Sequence, residues 1–475
     1  MLVLILFMAL GQVSQGQIID KNTARTVAEN WVKTVIDHKG DWAGATDAVV
    51  ADNYEVKRGD RLLGYYCSVE PSGHVVVSLI QGLAPVKAWS ETSNLDPSLD
   101  EGPADLLKAQ LERRLNVIEQ QLGPLSGVKA ADLDDLLELN HREAWSRLLV
   151  GSIPVAVGDK SPERGGDYVE GTTLLSSRWH QFEPYYNLCP VPPSGSPCLE
   201  PHCTVGCIAL APAQIMRYWS WPPGRDWLNM PDAMNVSPTQ AEIEAVSLLC
   251  FNLGIMLIMD YCNDGCASSA YANDLEGVYE ANHYSTACAY THRRNWDANT
   301  WYAYIKDNIN QNRPLDYYIL GHEIVCDGWW ELNGQQYHMN YGWGGSFNDW
   351  YFLDALHQPV SGGTPDDEAM THKIVPNCVL GPSISGTYPD NPSYPHRYVD
   401  RDCSASSVIF EAGQLIHFHP QKVMTCASGS LRFDGTPAKN TRLYTADYGR
   451  GALINDGRIV IYPGASVKLG LDRPD

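Results

Sequence analysis

The amino-acid sequence predicts an α+β protein of several domains, and three observations carry that reading. Residues 20 to 95 begin with apolar positions at helical spacing and continue as short strand-like runs. Residues 174 to 380 are dense in aromatics and hold ten of the 13 Cys. From residue 403 onward short alternating runs recur, each framed by Gly and Pro, as a small β-sandwich-like module requires. At 475 residues the chain exceeds one ordinary core, so roughly two to four domains are expected.

Composition narrows the function classes. An apolar content of 44% with 14 Trp and 25 Tyr is that of a folded chain. A net charge of −22 argues against a nucleic-acid partner, because a phosphate backbone needs clustered Lys and Arg. No apolar run approaches the ~20 residues that span a bilayer, so no membrane span is expected. The first residues, "MLVLILFMALGQVSQG", combine an apolar stretch from Leu2 to Leu10 with Ser14 and Gly16 at small-x-small spacing. That pattern predicts a signal peptide over residues 1–16 and an exported protein, in which 13 Cys are easily kept as disulfides.

Along the chain, "NTARTVAENWVKTVIDH" places Ala24, Val27, Trp31 and Val35 on one side of a helix. "LLGYYCSV", a turn at "EPSGH" and "VVVSLI" then read as a hairpin. Residues 101 to 150, rich in Leu, Ala and Glu, read as two helices broken near "GPLSG". The polar stretch "GDKSPERGGDYVEG", 158 to 171, reads as an exposed linker that a protease can cut. Residues 381 to 400 are Pro-rich and read as a second linker.

Chemistry converges on Cys207, which opens the helical run "GCIALAPAQIMRYW". A Gly-Cys pair alone is usually structural: a small apolar residue, half of a disulfide, or a metal ligand. As a nucleophile it must be a thiolate, and free Cys has a pKa of about 8.5. A helix N-terminus and a nearby imidazolium both lower it. Gly206 permits a tight turn with room for a substrate backbone, and the Cys207 N–H is free to hold an oxyanion. His322, in "LGHEIVCDGW", stands at the start of an apolar strand and is the candidate base. Asn340, ahead of the Gly-Trp-Gly-Gly turn, can accept from the far imidazole nitrogen and fix its tautomer. Trp343 can shield that bond, and Gln181 in "SRWHQFEPYYNLCP" is a second oxyanion donor.

The order Gln, Gly-Cys, His, Asn resembles that of papain-like cysteine peptidases. The wording "WHQFEPYYNLCP", "GCIALAPAQIMRYW", "GHEIVCDG" and "YHMNYGWGG" followed by "WYFLDAL" resembles the streptopain family of secreted bacterial peptidases. "GYYCSVEPSGHVVVSLIQGLAPVKAWSETSNLD" resembles that family's inhibitory propeptide. The resemblance implies that Cys207 is the nucleophile, His322 the general base and Gln181 the oxyanion donor. Asn340 and Trp343 then belong to the loop that orients and covers the His. It also implies an endopeptidase favouring an apolar residue two positions before the cut. Three departures stand out. Pro212 lies inside the nucleophile helix, Tyr341 replaces the family's usual Trp, and the segments before His322 and after Leu356 are short.

The expected organisation is therefore a signal peptide at 1–16, a propeptide with its inhibitory domain at 17–172, a papain-like peptidase domain at 173–380, and a linker with a β-rich module at 381–475. Expected partners are protein or peptide substrates and the chain's own propeptide, outside a bacterial cell or on its surface. A competing class is an inactive relative that binds peptides or surface proteins through its cleft and β-module. A third, a peptidase inhibitor, fits residues 20 to 100 alone and leaves His322 and Asn340 unexplained.

Metal and cofactor are not expected: His202, Cys203 and Cys207, or Cys262 and Cys266, have loose spacing for zinc and no second CxxC. Nor is there a carboxylate pair for glycoside chemistry. His338, Tyr317, Tyr318, Trp329 and Trp330 read as core. Cys189, Cys198 and Cys203 sit in a Pro-rich loop and read as disulfide partners. Cys67, in a run that reads as a buried strand, is expected to be a reduced thiol; with it and the nucleophile Cys207 set aside, eleven Cys remain, so at least one further Cys is unpaired.

Overall fold

The computed structural model describes residues 18–151, 168–319, 321–353 and 368–377, and from 379 to 471 the strands with a few flanking residues. The predicted signal peptide at 1–16 and most of the 158–171 linker lie outside the described residues.

The N-terminal unit opens with helix α1 (Lys21–Lys39), capped by the Asp20 side chain, which accepts the Thr23 amide, and ended by Gly40 in the left-handed region. Its predicted stripe of Ala24, Val27, Trp31 and Val35 is fully buried. Strands β1 (Val49–Arg58), β2 (Arg61–Glu70), β3 (His74–Ser78) and β4 (Val86–Ser90) pair antiparallel in chain order. Residues 101 to 150 hold three helices where two were predicted: α2 (Gly102–Leu122), α3 (Ala130–Leu136) and α4 (Arg142–Val150). The extra break falls at Asn140, whose side chain accepts the Arg142 amide and so competes with a continuous helix.

The central region contributes α5 (Cys207–Trp219), α6 (Gln240–Met256), a hairpin of β5 (Asp260–Asp264) and β6 (Ala267–Ser269), α7 (Leu275–Ala281), β7 (Ala289–His292) and α8 (Ala298–Asn310). Strands β8 (Leu315–Ile319), β9 (His322–Trp330), β10 (Gln336–Asn340), β11 (Asp349–Phe352) and β12 (Ala369–His372) complete it. Helix and strand thus mix as an α+β fold predicts.

The two units share one sheet. Its order is β1-β2-β3-β4-β11-β10-β9-β8-β12-β7, and the seam is β4 against β11, with Trp350 opposite Trp89 and Tyr351 opposite Ala88. They also share one hydrophobic cluster. Trp31 lies 5.6 Å from Trp89 and 5.3 Å from Phe352, and Trp89 lies 5.6 Å from Trp330. The boundary expected at residue 172 is therefore crossed by both the sheet and the core.

The C-terminal module forms two sheets, as a sandwich-like module should, but its described strands pair in parallel. One sheet runs β13 (Ser383–Tyr388), β15 (Cys403–Phe410), β17 (Val423–Phe433), β19 (Ala452–Asn455), with β20 (Arg458–Ile461) also on β17. The other runs β14 (His396–Val399), β16 (Leu415–Phe418), β18 (Arg442–Thr445), β21 (Leu469–Leu471). From β13 to β19 the chain passes from one sheet to the other between successive strands, so the repeat is a stack of coils around Ile384, Val408, Phe410, Ile416, Leu431 and Phe433. Period-2 alternation fixes which face is buried and says nothing of strand direction. The stretch 381–400, read as a linker, supplies β13 and β14. Its Tyr398 is buried beside Trp219 and Trp221, which seats the module on the far end of α5.

Candidate active site

Cys207 is the first residue of α5, with its side chain partly exposed at the helix N-terminus. The helix runs through Pro212, which removes one backbone bond near its start. It is anchored on every side rather than along one stripe: Ile208, Ala211, Ile215 and Trp219 are buried, and so are Leu210, Ala213 and Met216. Gly206 sits at φ +81°, and a Cβ there would come within 3.0 Å of Met259 and of the Ser268 carbonyl. Glycine is thus required by conformation and by packing against β6, not by room for substrate.

The segment entering Cys207 is clamped twice. Disulfides Cys198–Cys266 and Cys203–Cys262 tie it to the β5–β6 hairpin, and the Thr204 amide donates to the Cys266 carbonyl at 2.9 Å. Cys189, expected to pair, is instead a free, buried thiol. Its loop partners Cys198 and Cys203 took the two hairpin sulfurs, which also disposes of the zinc reading of Cys262 and Cys266. Cys67 is free and fully buried, as the arithmetic required.

Gln181 is partly buried, and its carbonyl accepts the Val205 amide at 3.1 Å, two residues before Cys207. Its backbone is therefore pinned beside the segment that leads into Cys207.

His322 begins β9, and its Nε2 lies 3.0 Å from the Tyr341 carbonyl oxygen. A carbonyl only accepts, so Nε2 carries the proton and Nδ1 is the basic nitrogen. The Trp343 ring covers the imidazole at 4.7 Å between centroids.

Asn340 corrects the sequence expectation: it does not bond His322. Its Nδ2 donates to the Ser177 carbonyl at 2.7 Å, and its Oδ1 accepts from Gln214 Nε2 at 3.2 Å and from the Gly342 amide at 3.1 Å. It braces the turn whose next carbonyl, that of Tyr341, holds the imidazole. Gly342, at φ +70°, packs so closely on α5 that a Cβ would lie 2.8 Å from Leu210.

Sequence reasoning missed Gln214, fully buried, which also accepts from the Ser177 hydroxyl at 3.0 Å. A lone Gln within "ALAPAQIM" was the available signal. It also missed Glu323, a buried acid in an apolar strand.

Burial lifts the Cys207 thiol above its usual range, while the amides of Glu323 and Ile208 act in the opposite sense. Burial pushes His322 down to about 4, against the Tyr341 carbonyl. At rest the Cys207 thiol and the His322 imidazole are therefore both neutral.

Comparison with known proteins agrees with this geometry. Residues 179–225 and 223–351 match the Peptidase C10 family. Over 217 residues the chain is 29% identical to the thiol protease/hemagglutinin PrtT of Porphyromonas gingivalis, covering 39% of this chain and 24% of that one. Over 233 residues it is 28% identical to streptopain of Streptococcus pyogenes, covering 40% and 57%. The chain thus spans a quarter to just over half the length of these relatives. A prointerpain A fragment of Prevotella intermedia is similar in structure over 68% of this chain and 98% of its own, at 21% identity and a TM-score of 0.48, a likeness too loose to weigh in the assignment. By its motifs and these matches, the central part of the chain, residues 179–351, is similar to peptidases of the C10 family.

Proposed function

We propose that this chain is an exported cysteine endopeptidase made as a zymogen, with residues 17–172 as inhibitory propeptide, 173–380 as peptidase domain and 381–475 as an accessory module. The observation that carries the reading is Cys207 at the start of a buried helix, together with an imidazole whose Nε2 proton is fixed by the Tyr341 carbonyl and whose face is covered by Trp343. In the reaction, His322 Nδ1 takes the Cys207 proton. The thiolate attacks the peptide carbonyl, and the oxyanion rests on the Cys207 amide and the Gln181 side chain. The imidazolium then protonates the leaving amine, and water releases the acyl group from the thioester.

The resting electrostatics suit a latent form, since neither group is ionised. The test is casein digestion under reducing conditions after removal of the N-terminal unit. Cys207→Ala and His322→Ala each bring hydrolysis to background, because thiol and base act as a unit. Wild-type-like turnover in either variant sinks the assignment.

A further inference from the structure

Glu323 has no place in the mechanism above, and its surroundings are unusual for a carboxyl group. It follows His322 on β9, so strand alternation turns its side chain to the other face, toward α5. There it lies against Cys207, Gln214 and Asn340, packed with no room for a water molecule between them. It is 2% exposed, and its Oε2 has no hydrogen-bond partner among the described residues. A second buried carboxyl lies next to it. Tyr318 on β8 is the register partner of Glu323, and Asp316, two residues earlier on the same face, is its diagonal neighbour. Asp316 is fully buried; its Oδ2 accepts from the Tyr279 hydroxyl at 2.6 Å, and its Oδ1 is unpartnered.

Among the described residues no cation is recorded as acting on this pair. The titratable groups that act on it are Cys207 from α5, Tyr318 from β8, Tyr290 from β7, Tyr279 from α7 and Cys288 from the turn before β7. His322 and His372 project from the opposite faces of their strands, toward Tyr341 and Tyr304. Arg294 acts on Tyr290 rather than on either carboxyl. Two like-charged groups in a buried site without a counter-ion cannot both ionise near neutrality. Burial raises both carboxyls; Asp316 further opposes ionisation of Glu323, while the Tyr279 hydroxyl favours the Asp316 carboxylate.

We propose that Glu323 is a further residue of this site that acts through Cys207: as a neutral acid behind the nucleophile it tolerates the thiolate, and as a carboxylate, backed by Asp316, it opposes it. The site then carries a proton-holding pair on the helix side of β9, and thiolate and carboxylate compete for the same low-dielectric space. This rests on the peptidase reading only for its effect on turnover; the ionisation of Cys207 is measurable whether or not the chain cuts peptides.

The experiment is the rate of Cys207 alkylation by iodoacetamide from about pH 5 to about pH 10, on the full chain with its disulfides intact, read by peptide mass spectrometry. Glu323→Gln keeps the shape and removes the charge. Its profile shifts toward lower pH by about one unit, so Cys207 alkylates about tenfold faster at neutral pH, and the transition sharpens to that of a single group. Asp316→Asn shifts the profile in the same direction by less. The buried thiols of Cys250 and Cys326 report folding, since their alkylation marks a collapsed variant. Should Glu323→Gln collapse, the Asp316→Asn profile decides alone. Profiles that superimpose on wild type, or a shift toward higher pH, overturn the proposal. A normal shift without peptidase activity in any form overturns the function and leaves this coupling standing.

Discussion

At the scale of single residues, the site is a set of roles, some carried by side chains and some by the backbone. On the proposed mechanism Gln181 is a side-chain oxyanion donor, so Gln181→Ala lowers kcat by about 10²-fold, as loss of one such donor does elsewhere. An unchanged kcat would transfer the role to another group. Asn340 is a brace, not an orienter. Asn340→Ala leaves the Gln214 side chain and the Gly342 amide short of partners in a buried place, which costs about 1–3 kcal/mol. Thermal denaturation of the Cys207→Ala background measures it. A variant of unaltered Tm whose His322 titrates abnormally would instead restore the imidazole-orienting role. The difference between the two readings of Asn340 is one residue of backbone, because the carbonyl that holds Nε2 belongs to Tyr341.

Secondary-structure elements bring a second set of contacts to the seam between the units. His74 on β3 is buried with Asp349 of β11, Nε2 to Oδ2 3.3 Å, and its Nδ1 lies 2.7 Å from the Ser93 carbonyl. Burial disfavours the charged ring, but Asp349 and the Ser93 carbonyl outweigh it and raise His74 above its usual value. A group raised on docking contributes stability that is fully present below the ordinary His pKa of about 6.5 and is lost as pH rises through the raised value. The N-terminal unit is therefore held more firmly on the acidic side. The Tm of the Cys207→Ala chain falls as pH rises above about 6.5, and His74→Gln flattens that dependence. A wild-type Tm that rises over the same window contradicts the pairing. Nearby, Gln110 on α2 donates to the Tyr341 hydroxyl at 3.1 Å, so the N-terminal unit touches the residue whose carbonyl holds His322.

For the whole molecule, the shared sheet decides how the N-terminal unit and the central region come apart. Removing residues 18–151 would strip β4 from β11 and expose Trp330, Trp350 and Phe352, an unpaired strand edge beside an apolar face. A single cut within 152–167 therefore leaves the two pieces associated. A site-specific protease sequence placed there, followed by gel filtration of the cleaved chain, shows one species that separates only in denaturant. Free fragments under native conditions would show the interface to be weaker than its core implies. Release then requires digestion of the N-terminal unit itself.

Much of this was legible in the sequence because it was local. The α1 stripe, the Gly-Cys helix start, β9 opening at His322 and the Gly-Trp-Gly-Gly turn after Asn340 are each written within about a dozen residues, where period and turn chemistry act. The odd number of cysteines bounded the pairing without naming it. What only the tertiary structure decided lies between segments far apart in sequence. It set which sulfur meets which, that the imidazole leans on a carbonyl rather than on Asn340, that Glu323 packs against Cys207 with Asp316 on the same face of the sheet, and that the C-terminal strands run parallel. Alternation along a strand specifies a face and not a partner, and a side chain's chemistry specifies what it can bond and not what arrives beside it. Those choices are made by packing, when distant elements close one core and leave each buried polar group with the partners that remain.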